Sequence, residues 1–124
     1  MELNFFDAEE IQGNAKCTVH KSGKLGFSMD AIDLMGIDEQ RSISIAKGSD
    51  YEENGNLYMK VHNDNVKGAF SVSKAGKYYY LNTKNLFNQL NLNYQKDKII
   101  YDVVETEIEG GKYFKLIRRI KGRT

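Results

Sequence analysis

Residues 19–28, VHKSGKLGFS, and residues 72–81, VSKAGKYYYL, are two versions of one pattern. Lys21, Gly23 and Lys24 recur as Lys74, Gly76 and Lys77, each at an offset of 53. A short helix-like run follows in each half, MDAIDLMGI in the first and NTKNLFNQLNL in the second. The second run is two residues longer, so Ile37 corresponds to Leu92 at an offset of 55. Each half then continues through a polar turn (DEQR, NYQKD), an alternating strand (SISIA, KIIYDVV), a Gly-bearing turn and a last strand (NGNLYMKV, GGKYFKLI). Similarity sustained over this length predicts two copies of one supersecondary unit. Its order is strand, turn, strand, short helix, strand, turn, strand.

The 124 residues therefore divide into an acidic N-terminal segment at 1–14, a first repeat at 15–66 and a second at 67–124. Two short helices are expected, near 29–36 and 83–90. Ser28 or Asp30, and in the second half Asn82 or Thr83, can accept the free amide hydrogens at their starts. Ala31, Ile32, Leu34 and Met35 form one apolar face, and Leu86, Phe87 and Leu90 another, so these runs read as core. Gly36 suits a left-handed cap, and Asn91 can serve in the same role. The chain has no proline, where average usage of about 5% would supply about six. Its turns must be built from Gly, Asn, Asp and Ser, as in KSGK, ENGN, HNDN, KAGK and EGGK.

With 40% hydrophobic and 28% charged residues, a modest core can form. No apolar run approaches the roughly 20 residues of a membrane helix. MELNFFDAEEIQG lacks a basic start and a long apolar stretch, so no signal peptide is expected and a cytoplasmic location is the default. The lone Cys17 excludes an internal disulfide and reads as a half-buried strand residue in AKCTVHK. His20 and His62 lack metal-ligand spacing, so neither a metal nor any other cofactor is expected. KSGKLG lacks the spacing of a phosphate loop. Glu52-Glu53 and the alternating Glu105, Glu107 and Glu109 read as solvated faces, so no enzyme is expected.

Charge is unevenly distributed. The first 14 residues carry −4, residues 15–66 carry −2, and residues 67–124, with twelve bases against five acids, carry +7. KYFKLIRRIKGR at 112–123 holds six bases and no acid. Such a stretch can meet phosphates, or it can protect a solvated strand edge.

The succession of turn Gly, basic residue, strand and short helix, with Met35-Gly36-Ile37 closing the helix before SISIA, resembles the swapped-hairpin unit of AbrB/SpoVT- and MazE-type transcription regulators. The tandem arrangement is similar to the MraZ type, with two such units in one chain. The likeness covers residues 15–62 well and 67–118 more loosely. It implies interleaved hairpins forming a small β-barrel, mainly β with two short helices, and a DNA-binding or transcription-regulator role. This chain departs from the pattern in two places. The apolar-proline pair before the helix is replaced by Phe27-Ser28 and Tyr80-Leu81, and the second helix ends in Leu90-Asn91-Leu92.

Family members meet DNA through arginines on the hairpin and helix. Here the first helix offers Asp30 and Asp33 instead, beside Lys24 on the hairpin, and carboxylates repel a polyanion. The candidate nucleic-acid contacts therefore fall in the second half and the tail: Lys74, Lys77, Lys84, Arg118, Arg119, Lys121 and Arg123. Tyr78, Tyr79 and Tyr80 share a strand, so alternate rings face opposite sides. They could stack on single-stranded bases, or serve as barrel core. The rival reading is a protein-interaction or self-association module that keeps the fold without binding nucleic acid.

Overall fold

The computed structural model describes residues 1–5 and 15–119. Within them nine strands are ordered as β1 (Lys16–Val19), β2 (Leu25–Phe27), β3 (Ser42–Lys47), β4 (Leu57–His62), β5 (Phe70–Ser71), β6 (Ser73–Ala75), β7 (Tyr78–Leu81), β8 (Ile99–Ile108) and β9 (Gly111–Arg118). Among the described residues three short helices punctuate them: α1 (Met29–Met35), α2 (Tyr51–Asn54) and α3 (Lys84–Gln89). The protein is mainly β. The helices α1 and α3 stand where the amphipathic runs predict them. The single turn α2 departs from the expected two helices, and it replaces a simple hairpin turn. It is held by Asn54 Nδ2 donating to Asp50 Oδ2 at 2.8 Å and ends on Gly55 at φ 70°.

All nine strands form one antiparallel sheet in the order β5-β3-β4-β9-β8-β1-β2-β7-β6. Its two edges, β5 and β6, are separated only by Val72. One stretch of chain thus pairs with β3 through Phe70 and Ser71, then with β7 through Ser73, Lys74 and Ala75. This nearly closes the sheet into a barrel and leaves little edge for another strand to join. Val72 itself is buried, and its N–H donates to the Arg41 carbonyl at 3.2 Å.

Around the barrel, hairpins of the two repeats alternate: β3-β4, β9-β8, β1-β2, then β7-β6. Exchanging β1 with β5/β6, β2 with β7, β3 with β8 and β4 with β9 leaves the pairing pattern unchanged. The core follows from strand alternation. Cys17, Val19, Leu25, Phe27, Ile43, Leu57, Met59, Leu81, Ile99, Tyr101, Val103, Phe114 and Leu116 point inward, with Ala31, Met35 and Phe87 from the helices. Cys17 is fully rather than half buried, and that burial holds its thiol well above the usual range, protonated and out of reach as a nucleophile.

The helix ends repeat in detail. Gly36 adopts φ 66° and Asn91 φ 57°. Past each, Ile37 donates to the Ile32 carbonyl at 3.1 Å and Leu92 to the Phe87 carbonyl at 3.0 Å, the same closing bond at an offset of 55. The starts differ. Ser28 Oγ accepts from Ala31 N at 3.2 Å, whereas Thr83 makes no cap bond and its Oγ1 donates to the Gly23 carbonyl at 2.8 Å. At Gly36 an added Cβ would meet no atom within 4 Å, so only the backbone resists substitution. Gly36→Val is expected to destabilise by roughly 1 kcal/mol or more, because β-branched residues resist positive φ. Gly36→Asn should cost less, since Asn91 already fills that role. Urea midpoints of the two variants check both expectations.

Candidate functional site

Alternation along β1 sends Cys17 and Val19 inward and Lys16, Thr18 and His20 to the other face. On β2, Gly26 shares that outer face, flanked by Lys24 and Ser28. On β7 the outer positions are Tyr78 and Tyr80. The register sets Thr18 opposite Gly26 and Gly26 opposite Tyr80. On the far side Tyr80 pairs with Ser73 and Tyr78 with Ala75. Small residues thus run across the middle of this face, and long ones stand around it. The result is an open groove of about 580 Å³ lined by Lys16, Thr18, His20, Ser22, Lys24, Gly26, Phe27, Ser28, Ala75 and Tyr78 to Tyr80.

Gly26 matters here for its missing side chain. A Cβ on it would lie 2.5 Å from His20 Nε2, so the imidazole rests directly on the strand backbone. The Lys24 ammonium sits 4.6 Å from the centre of the Tyr80 ring, a cation–π contact that fixes both groups at the groove wall. Tyr79 faces the other side and packs against the core, as alternation requires. Tyr78 is 74% exposed.

The groove is lined by Lys16, His20 and Lys24, by the outward rings of Tyr78 and Tyr80, and by no carboxylate. The nearest strand neighbour with an acid is Asp102, opposite Lys16. Its carboxylate is already engaged by Arg119, with Nε to Oδ2 at 3.0 Å and Nη2 to Oδ1 at 2.9 Å. That bidentate pair also holds the Arg119 guanidinium above its usual range. Such a surface attracts anions and offers planar rings for stacking.

Of the residues singled out from the sequence, the five described ones lie on different elements. Lys74 on β6 lies 4.0 Å from Glu39 Oε1 and 5.6 Å from the Tyr79 ring. Lys77 is exposed in the two-residue turn between β6 and β7. Lys84 opens α3 and packs against Gly23 of the first hairpin. Arg118 and Arg119 line a second hollow, of about 430 Å³, where Glu52, Glu53 and Asp97 offset them and Lys98. Lys121 and Arg123 lie outside the described residues. Lys16 and His20 are not among the residues that the sequence singles out, although the alternation in AKCTVHK is the signal that places them together.

Among the described residues no group of three or more His, Cys, Asp or Glu could hold a metal ion. No helix among them is long and apolar enough to cross a membrane. No protein-family model, no curated protein and no solved structure matches the chain.

Proposed function

We propose that this protein is a small non-enzymatic binding protein that holds nucleic acid on the outer face of β1, β2 and β7. The observation that carries this reading is the groove itself: Lys16, His20 and Lys24 beside Tyr78 and Tyr80, with no carboxylate in its lining. Phosphate contacts from lysine, with rings to hand for bases, are the means by which sheet surfaces bind such polymers. The alternation of hairpins around the barrel, with Met35-Gly36-Ile37 at the first helix end, supports kinship with the swapped-hairpin transcription regulators and a regulator-like role. In this reading the first repeat supplies most of the charge. The basic C-terminal run is secondary, because Arg119 is paired and Arg118 shares its hollow with acids.

Fluorescence anisotropy with labelled duplex and single-stranded oligonucleotides tests the proposal. Affinity should fall steeply as salt rises, and replacing Lys16 and Lys24 by Gln should flatten the salt slope by about 1 for each phosphate left without its lysine. The melting temperature should barely move, since Lys24 is exposed and Lys16 half-buried on the outer face, and such charges contribute little to stability. Absence of binding at low salt would reject the reading in favour of a protein-interaction module.

A further inference from the structure

We infer that the groove takes an unpaired nucleobase, stacked on the ring of Tyr78, so that the ligand class is single-stranded rather than duplex nucleic acid; this rests on the nucleic-acid reading of the same site. Three tyrosines in a row occupy three different situations. Tyr80 already carries the Lys24 ammonium 4.6 Å from its ring centre. Tyr79 is turned toward the core. Tyr78 is left 74% exposed at the wall of a concave surface, with its ring face free of the core. The floor beside it is made of small residues, among them Ala75 and Gly26, so space of about 580 Å³ lies open. That is within the size of sites that enclose small organic groups.

Charge selects the class of occupant. Lys16 and Lys24 line the groove without a carboxylate among its lining residues, which favours an anionic ligand over a neutral or basic one. Stacking then selects among anionic polymers. In a duplex each base is covered above and below by its neighbours, and only edges are presented in the grooves. A single strand, a loop or an end can turn a base face onto a ring while its phosphates reach the lysines.

The test compares three labelled probes of equal length at low salt: a thymidine single strand, the same backbone with abasic sites, and a duplex. The intact protein should prefer the thymidine strand. Tyr78→Ala should weaken that probe about tenfold and leave the abasic strand and the duplex unchanged, while Tyr78→Phe should retain the preference. Because Tyr78 is exposed, both variants should melt like the parent. Equal affinity for thymidine and abasic strands, or a Tyr78→Ala loss shared by all three probes, would overturn the stacking inference and leave phosphate binding standing. Failure of every probe to bind would remove the underlying reading as well.

Discussion

Cut between Val66 and Lys67, the chain should give two fragments that are each unfolded alone and that regain the native fold when mixed. Within residues 15–66 only β1 pairs with β2 and β3 with β4; within 67–119 only β6 pairs with β7 and β8 with β9. The pairings β1–β8, β2–β7, β3–β5 and β4–β9 all join one repeat to the other. Separated, each fragment keeps two hairpins that never touch through hydrogen bonds, and an isolated hairpin is marginal at best in water. The shared core goes too, because Phe27 and Leu57 of one repeat are buried in the same cluster as Leu81 and Leu116 of the other. Circular dichroism melts of each fragment should show no cooperative transition, and an equimolar mixture should show one. A monomeric fragment that melts cooperatively would contradict the alternating arrangement.

Gly23→Ala should be the most damaging of the glycine substitutions in the turns, costing roughly 2–4 kcal/mol as backbone strain adds to overpacking. Gly23 sits at φ 87°, and a Cβ there would lie 2.8 Å from Lys84 Cβ and 2.9 Å from its Cα. Backbone cannot swing aside as a side-chain tip can. The same spot carries the bond from Thr83 Oγ1 to the Gly23 carbonyl, so the first hairpin and the start of α3 are fastened at one point. Gly68→Ala and Gly76→Ala are the controls: both glycines have positive φ, 87° and 61°, but an added Cβ meets nothing within 4 Å. Guanidinium midpoints should therefore separate Gly23→Ala from the other two. Equal losses in all three would mean that the packing against α3 contributes nothing.

Much of this architecture can be read from residue order because it is local. Apolar spacing locates α1 and α3, and Gly36 and Asn91 mark their ends through the one property that matters there, tolerance of positive φ. The matched letters of KSGK and KAGK are less faithful. In the first hairpin His20 and Lys24 flank a three-residue loop that ends on Gly23; in the second Ala75 and Tyr78 flank two residues that begin with Gly76. Loop length decides the turn, and one shared Gly does not. Helix α2 is hidden from such a reading because it is a single turn, marked by the Asp50–Asn54 hydrogen bond, the Gly55 end and one core contact, Tyr51, rather than by a repeating apolar face. The charge of the second repeat shows a different limit of residue order. Charge counted along a chain is not charge on a surface: Arg119 is bound to Asp102 and Lys74 lies near Glu39, while Lys16 and Lys24, from a repeat of net negative charge, line one groove.

The groove straddles the line where β2 meets β7, and there the two repeats are no longer alike. Matching the buried Phe27 with the buried Leu81 sets Lys24 against Tyr78 and Gly26 against Tyr80. Two identical chains meeting in this way would present the same residue on both sides of the seam. An elongated ligand laid across it would then have two opposite orientations of equal energy. With both copies in a single chain, one bank has become cationic and open and the other aromatic. The degeneracy is lifted, and a polymer with distinct ends, if it binds as proposed, would lie across the seam in one preferred orientation.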